Sequence, residues 1–338
     1  MEEIKCIFCD LKSDQVVIEE NGYKGRKCPK CGLIYISPRP TFDEIVDLYG
    51  HDEAHTSTQR HLSQEFLKRL YAKHNLRIVN KFIKNGTILE IGAGIGCFLD
   101  EARRVGFEPF GIELNRIQAE FIRSKFHIPC VESPLDNSLF EGKKFDVVYH
   151  CDVIGHLFDP FSDFRKMYDV LKGNGILVFE TGNLGDVRQK YYKYVKKFQY
   201  PDHLFLFGEQ NLKDLLDRTG FQFIKIYRYS ILPELAFLKG LPTVYRYSML
   251  TQCAVFKVLR WIKSRIEFTG RLMQHQKQEN TEVTASVNSE TNVSEFDFIQ
   301  LLKKPYNYFI FVLRYKIGYI MPKKERPQTV IVVARKKI

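Results

Sequence analysis

Between positions 85 and 230, short apolar runs alternate with longer stretches in which apolar residues recur every three or four positions. A short apolar run closed by glycine or polar residues predicts a buried strand, and spacing of three and four predicts an amphipathic helix. The apolar runs lie at 87–91, 109–113, 146–149, 176–179 and 221–229, and the helical stretches lie at 97–105, 116–125, about 160–172 and about 209–219. This alternation predicts an α/β fold with a Rossmann-like, doubly wound and mostly parallel sheet.

The rest of the chain differs in pattern from this predicted core. We expect five units, at 1–40 (rich in cysteine and turn residues), 41–84 (a helical linker), 85–230 (the core), 231–326 (a helical, basic insertion) and 327–338 (a final strand). The β-branched run from Gln328 to Ala334 predicts that the last unit returns to the sheet, which then has about seven strands. Within the insertion, residues 274–294 contain almost no large apolar side chains and are expected to be disordered.

Composition and charge narrow the class of protein. Hydrophobic residues make up 44% and charged residues 27% of the 338 residues, which is typical of a globular protein and excludes global disorder. The net charge is +11, and residues 301–338 contribute most of it, with ten lysines and arginines against one glutamate. No apolar run approaches the ~18 residues of a spanning helix, and the N-terminus lacks a signal-peptide pattern. We therefore expect a cytoplasmic protein whose basic C-terminal end has an anionic partner.

Two pairs of cysteines indicate a metal site near the N-terminus. Cys6 and Cys9 form one CxxC knuckle, and Cys28 and Cys31 form a second one after 18 intervening residues. Two knuckles at this spacing are typical of a tetrahedral zinc site with four thiolates, and iron is the main rival metal. Because so short a segment has too little core to fold alone, the metal would supply folding energy, about 10–16 kcal/mol in small zinc fingers. We expect a structural zinc ribbon.

A glycine-rich turn follows the first predicted strand. Gly92, Gly94 and Gly96 alternate with other residues shortly after Glu90, and Glu113 ends the next strand, 17 residues beyond Gly96. Glycines at this place let the backbone approach a ligand closely and start the next helix tightly. A carboxylate at the end of the second strand can accept hydrogen bonds from two ribose hydroxyls. A dinucleotide-binding domain is the rival interpretation, but its GxGxxG fingerprint has a different glycine spacing.

The segment from Glu90 to Gly96 resembles motif I of the class I S-adenosylmethionine-dependent methyltransferases, and Glu113 matches the ribose-binding acid of that family. Further segments that resemble the family lie at 145–150, 152–160, 171–177 and 202–221. The resemblance covers roughly residues 1–230 and the last strand, and it includes the ribbon, which many small-molecule and sugar methyltransferases of the family carry. It implies S-adenosylmethionine as the methyl donor. The donor-binding residues that we expect are Glu90, Gly92, Gly94, Gly96, Glu113, Glu132 and Cys151.

His203 is the residue that we expect to act as the general base. It lies in a loop at the carboxyl side of the predicted sheet, and the ordinary pKa of histidine, ~6.5, suits proton transfer near neutrality. Tyr200, Asp202 and His203 resemble the Y-x-E-H segment of deoxysugar C-methyltransferases, in which the acid and the tyrosine support the histidine. That group has a second Rossmann-like domain, which residues 231–320 do not predict, so O-methylation stays open beside C-methylation. A structural role is the alternative for His203, and His156 is expected to be a cap or a wall of the pocket.

The C-terminal insertion adds two basic, aromatic segments. One is a predicted helix face formed by Val255, Val258, Leu259, Ile262 and Ile266, and the other spans residues 306–321, around Arg314 and Lys316. Such segments are typical of a helix that lies on an anionic membrane, here the inner face of the cell membrane, or of a lid over an active site. Binding to RNA phosphates is a third use of the same charge.

Together these patterns predict an enzyme that methylates a hydroxyl or a carbon of a sugar or another small molecule. The resemblance alone implies a role in surface-glycan synthesis. An RNA methyltransferase is the alternative, since some rRNA methyltransferases also begin with a zinc ribbon. Nucleic acid is less favoured because the place of an Asn-Pro-Pro-Tyr-like tetrad reads His150-Cys151-Asp152-Val153. A third hypothesis is a non-catalytic, donor-binding protein that docks on membranes.

Overall fold

The computed structural model describes residues 1–50, 52, 57–140, 142–195, 197–240, 304–321 and 325–337. The polar stretch predicted at 274–294 and the helix face that begins at Val255 lie outside these residues. The N-terminal part holds three short strands and three helices. They are β1 (Val16–Glu20), β2 (Tyr23–Lys27), β3 (Ile34–Ile36), α1 (Phe42–Gly50), α2 (Thr58–Ser63) and α3 (Glu65–Val79).

The following part alternates strands and helices, as the apolar pattern predicts. Its elements are β4 (Gly86–Ile91), α4 (Cys97–Arg104), β5 (Phe107–Ile112), α5 (Arg116–Phe121, extended by a π-helical turn at Ile122–Phe126), β6 (Cys130–Val131), β7 (Phe145–Cys151), α6 (Pro160–Val170), β8 (Leu171–Gly182), β9 (Phe205–Leu206), α7 (Glu209–Arg218) and β10 (Phe221–Ser230). Short 3-10 turns lie at Asn137–Phe140, Ile154–His156, Leu184–Asp186 and Gln189–Tyr194. The described C-terminal part adds α8 (Leu232–Gly240), α9 (residues 304–320, π-helical at Leu313–Ile317) and β11 (Gln328–Lys336).

Local sequence signals explain where several of these helices begin. Asp159 caps α6, because its side chain accepts a hydrogen bond from the backbone N–H of Ser162 at 3.1 Å, and Pro160 occupies the first turn. Asn115 caps α5 in the same way, accepting from the N–H of Gln118 at 3.0 Å. Both caps follow strands of the core, so each helix starts at a defined point beside the carboxyl ends of the strands.

Seven strands form the central sheet, in the order β10-β11-β8-β7-β4-β5-β6. The strands from β8 to β6 pair in parallel, whereas β11 pairs antiparallel with both β8 and β10. This mostly parallel, Rossmann-like sheet confirms the predicted fold, including the final strand that returns from the C-terminal end. The strand predicted at 176–179 is longer than expected, because β8 pairs with β7 on one side and with β11 on the other.

Helices cover both faces of this sheet. On one face, α3, α4 and α9 bury side chains such as Leu76, Phe98 and Phe311 against the strands. On the other face, α6 and α7 bury side chains such as Phe164 and Leu215. Strands that are buried on both faces read as continuous apolar runs, which explains why the sequence pattern located them.

The N-terminal strands join the core instead of forming a detached module. β9 pairs antiparallel with β3 and completes a second sheet in the order β1-β2-β3-β9. The side-chain amide of Asn211 donates to the backbone oxygen of Cys31 at 3.1 Å, and Arg218 donates to the backbone oxygen of Phe8 at 3.1 Å. These contacts fix the cysteine-rich segment against α7 and against the loop that precedes it.

Helix α9 packs on the core through one face. Ile310, Phe311, Leu313 and Tyr315 are buried, and the hydroxyl of Tyr315 donates to the Oε1 atom of Glu180 at 2.6 Å. Arg314 forms a two-bond ion pair with Glu234 of α8, at 2.7 and 3.0 Å. None of the helices in the described part of the chain combines the length and the apolar content needed to span a bilayer.

Candidate active site and metal centre

The four cysteines of the two knuckles converge on one point. Their Sγ atoms all lie within 4.8 Å of one another, and Cys6 and Cys28 are buried. The Sγ atoms of Cys6 and Cys31 are 3.4 Å apart. Soft sulfur donors in this arrangement fit a tetrahedral zinc ion with bonds of about 2.3 Å. Cys6, Cys9, Cys28 and Cys31 would therefore hold the metal, and all four positions would be filled by protein, as in a structural site.

A cavity of about 540 Å³ lies at the carboxyl edge of the central sheet. The loops after β4, β5 and β7 form its floor, and side chains of α1, α2, α3 and α6 form its walls. Ligands of doubly wound sheets bind at this edge, and the volume is in the range of small-molecule sites. The segment 41–84 therefore encloses the site with its helices, although the sequence pattern indicated only a linker.

The glycine-rich turn forms one side of the cavity. Gly92 has a φ of +70°, and a Cβ atom there would lie 2.7 Å from the Cγ2 atom of Val153. Gly96 caps α4 with a φ of +75° and packs against Ile122. Such positive φ values favour glycine, and the missing side chains let the backbone line the cavity directly. The glycine spacing thus reflects both the backbone conformation and the close packing of the turn.

Two carboxyl groups face the cavity from neighbouring strand ends. Glu113 accepts hydrogen bonds from the backbone N–H groups of Gly94 at 2.6 Å and of Asn115 at 2.9 Å. Burial raises the pKa of Glu113. The Oε2 atom of Glu90 is buried and has no hydrogen-bond partner among the described residues, and burial followed by repulsion from Glu113 raises its pKa well above the ordinary value. An unpartnered buried carboxyl oxygen in a cavity suits a cationic group of a ligand.

The structure brings most of the expected donor-binding residues together. Glu90, Gly92, Gly94, Glu113 and Cys151 line the cavity. Gly96 lies behind the turn, and Glu132 is exposed after β6, whereas the next residue, Ser133, lines the cavity. Residues that the sequence analysis did not select also line it, among them Lys68 and Tyr71 of α3. Only their position on an amphipathic helix, which is a weak signal, could have suggested them.

The expected catalytic residues lie beside the cavity. Tyr200 is buried against β1, β3 and β9, and its hydroxyl packs on Gly25. Asp202 is buried, and neither it nor His203 is among the residues that line the cavity. His156 does line it, and its ring lies 4.3 Å from the ring of His203. The geometry therefore places His156, expected to be a cap or a wall of the pocket, between His203 and the cavity.

Asp202 and His203 hold the ring of His156 in place. The Nδ1 atom of His156 lies 3.0 Å from the backbone oxygen of Asp202 and 3.5 Å from its carboxylate oxygen Oδ1. The Nδ1 atom of His203 lies 2.6 Å from the backbone oxygen of Phe198. A carbonyl or carboxylate at Nδ1 fixes the orientation and the tautomer of an imidazole. The loop at 198–203 thus orients His156 toward the cavity.

A family model described as a methyltransferase domain matches residues 63–226, the part that builds the cavity floor. This match identifies residues 63–226 as a methyltransferase domain, in agreement with the resemblance to the class I S-adenosylmethionine-dependent methyltransferases. S-adenosylmethionine is the methyl donor of this family. The donor carries a ribose and an ammonium group. Glu113 would accept hydrogen bonds from the ribose and Glu90 would pair with the ammonium, so the residues of the cavity fit the donor.

Curated proteins that are similar to this chain act on different acceptors, according to their names. A ubiquinone biosynthesis O-methyltransferase of Ruegeria pomeroyi is 30% identical over 167 residues, which are 43% of this chain and 66% of that protein. Phosphoethanolamine N-methyltransferase 2 of Caenorhabditis elegans is 31% identical over 159 residues, 44% of this chain and 36% of that protein. The chain thus spans just under two thirds of the first relative and about a third of the second.

Solved structures also match the chain, and one of them covers most of it. It is Haemonchus contortus phosphoethanolamine N-methyltransferase 2 in complex with phosphomonomethylethanolamine and S-adenosylhomocysteine. Its TM-score is 0.46 at 17% sequence identity, and the match covers 90% of this chain and 63% of that one.

Proposed function

We propose that the methyltransferase transfers a methyl group from S-adenosylmethionine to a hydroxyl group of a small-molecule acceptor, with His156 as the general base. The observation that carries this proposal is the position of His156, an imidazole that lines the cavity and is oriented through Nδ1. A hydroxyl must lose its proton as the methyl group arrives, and histidine is the side chain best suited to accept a proton near neutral pH.

The proposal changes the role that the sequence suggested for His203. His203 supports the ring of His156 from behind, and Asp202 fixes its Nδ1 atom. A base must lie within hydrogen-bond reach of the acceptor proton. Since His156 lines the cavity and His203 does not, we assign the proton transfer to His156 and the positioning to Asp202 and His203.

The donor supplies a sulfonium-bound methyl group, and the chain supplies alignment and a dry environment. Glu113 binds the ribose and Glu90 binds the ammonium group, which fixes the donor at the turn after β4. The rings of Phe98 and Tyr149 stack at 3.6 Å beside the donor end of the cavity. Excluding water and holding both reactants in line accounts for much of the rate that such a site can provide.

Apolar side chains make up much of the cavity wall that is formed by α1, α6 and the segment before α6. Phe42, Ile45, Leu157, Phe158 and Met167 belong to this wall. They favour an acceptor that carries its hydroxyl on a partly apolar molecule. The name of the Ruegeria pomeroyi relative, an O-methyltransferase, supports methylation on oxygen. A sugar hydroxyl, as in surface-glycan synthesis, is the narrower form of this proposal, and it rests on the resemblance of the sequence to sugar methyltransferases.

The test combines labelled donor with matched histidine variants. The protein is incubated with methyl-labelled S-adenosylmethionine and an extract of its source, which is then separated into RNA, protein, sugar-nucleotide, lipid and other small-molecule pools. We expect label in a small-molecule pool, and we expect His156→Ala to lower transfer by roughly 100-fold or more, the scale of a lost general base. His203→Ala should retain more activity, and the exposed His127→Asn serves as the control.

Donor affinity separates a lost base from a damaged site. Both variants should bind S-adenosylmethionine as the wild type does, because the ribose and ammonium contacts come from other residues. Label in RNA would contradict the proposal and support the nucleic-acid alternative. Full transfer by His156→Ala together with loss in His203→Ala would return the role of base to His203.

A further inference from the structure

Exposed apolar side chains concentrate at one end of α9. Among the described residues, ten large apolar side chains are exposed, and five of them lie between positions 308 and 321. Four of these form what we call the apolar end, which consists of Ile317, Tyr319, Ile320 and Met321. Ile320 is 80% exposed. A protein surface that faces only water rarely contains so many apolar side chains in so short a segment. Such a patch is typical of a surface that binds a membrane, a protein or a ligand.

The apolar end lies at the same edge of the central sheet as the cavity. Gly318 packs against the backbone of Ser230, the last residue of β10, and the ring of Tyr319 lies 5.8 Å from that of Tyr229. Because β10 runs in the same direction as β7 and β4, its carboxyl end points the same way as theirs. A surface that receives the apolar end would therefore face the edge at which the cavity lies.

Cations accompany the apolar side chains at this edge. Lys316 is exposed on α9 itself, one residue before the apolar end. The exposed side chains of Lys190 and Lys193 lie on a 3-10 turn that is tied to this edge, since the N–H of Arg188 donates to the backbone oxygen of Glu325 at 3.1 Å. The carboxylate of Glu325 pairs with Arg188.

We propose that the apolar end of α9 docks on an anionic lipid bilayer. Ile320 and Met321 enter the interface between headgroups and acyl chains, and Lys316, Lys190 and Lys193 contact lipid phosphates. Apolar insertion together with several cations is the combination that gives reversible binding to anionic membranes. A neutral protein partner would use the apolar side chains but not the surrounding positive charge. This proposal is independent of the acceptor, although it would bring the cavity close to acceptors that partition into membranes.

Co-sedimentation with vesicles tests the proposal on the full-length protein. One set of vesicles contains phosphatidylcholine alone, and the other contains phosphatidylcholine mixed with phosphatidylglycerol. We expect binding to the anionic set. Ile320→Ser removes an inserted apolar side chain and Lys316→Glu reverses a charge near the phosphates, so each should weaken binding by about tenfold. Raising the salt concentration should weaken binding further, because salt screens the phosphates.

Matched controls lie at the opposite edge of the sheet. Val105 is an exposed apolar residue before β5, and Lys84 is an exposed lysine before β4, so Val105→Ser and Lys84→Glu repeat the two changes away from the apolar end. We expect both controls to bind anionic vesicles as the wild type does. All four variants should keep their affinity for S-adenosylmethionine, which separates a failure of docking from a failure of the proposed function.

Three results would overturn the proposal. The first is the absence of sedimentation with anionic vesicles, and the second is equal binding by Ile320→Ser, Lys316→Glu and the controls. The third is a dimer in size-exclusion chromatography that Ile320→Ser dissociates without any change in vesicle binding. That result would assign the apolar end to a contact between two copies of the chain.

Discussion

Removing the carboxylate of Glu113 should weaken binding of the methyl donor by roughly 100-fold. Each oxygen of a carboxylate offers about two acceptor positions, and in this structure the N–H groups of Gly94 and Asn115 occupy one on each oxygen. One position per oxygen is left for a ribose hydroxyl. Two hydrogen bonds to a charged group at ~1.5 kcal/mol each give about 3 kcal/mol, or roughly 100-fold in the dissociation constant.

Titration calorimetry with S-adenosylmethionine measures this loss for Glu113→Ala and Glu113→Gln. The glutamine keeps one acceptor oxygen, so we expect a loss of only about tenfold for that variant. Glu108→Ala is the matched control, because Glu108 is an exposed carboxylate on the same strand that pairs with Lys143. Melting temperatures show whether the turn itself survives. Unchanged donor affinity in a folded Glu113→Ala protein would refute the assignment of Glu113 to the ribose.

Three further predictions concern the metal, a buried carboxyl group and the glycine-rich turn. Metal analysis should give about one zinc per chain, and protein without metal would contradict the ribbon. Chelation should lower turnover more than donor affinity, because the ribbon strand β3 pairs with β9, which follows the loop that contains Asp202. Burial and then repulsion from Asp152 raise the pKa of Glu180 to about 7, so stability should fall as the pH rises from 4.5 to 7, and denaturation of Glu180→Gln should show a flatter fall. Gly92→Ala should lower donor affinity by tenfold or more. An alanine in this left-handed conformation costs ~1 kcal/mol, and its Cβ atom would lie 2.7 Å from Val153, so the turn must shift. Titration calorimetry with S-adenosylmethionine measures the change in affinity, and unchanged affinity would contradict this prediction.

The sequence predicted the elements that depend on local pattern. The buried strands of the sheet produce apolar runs, and the turn after β4 requires glycine at positions with positive φ, so both leave a direct trace in the sequence. The strand β11 was also predictable, because a β-branched run at the end of the chain suits the centre of a sheet. The fold class and the glycine-rich turn could be predicted from the sequence for these reasons.

Features that depend on contacts between residues far apart in the sequence could not be predicted from it. The strand β9 has two residues, and its partner β3 lies about 170 positions earlier, so no local sequence pattern indicates the pairing. His156 is oriented by Asp202, which lies 46 positions away, and the residues that flank each of them in the sequence do not indicate this contact. The walls formed by α1, α2 and α3 depend on how these helices fold back over the sheet. The position of His156 in the cavity therefore required the three-dimensional structure.

The central claim is methyl transfer to oxygen on a small-molecule acceptor. The most direct test uses S-adenosylmethionine with a carbon-13 methyl group, the wild-type protein and the small-molecule fraction that accepts label. The chemical shift of the transferred methyl carbon distinguishes attachment to oxygen, nitrogen and carbon. We predict a methyl signal attached to oxygen that is absent with His156→Ala. A signal attached to nitrogen or carbon, or no transfer by a protein that binds the donor, would contradict the account.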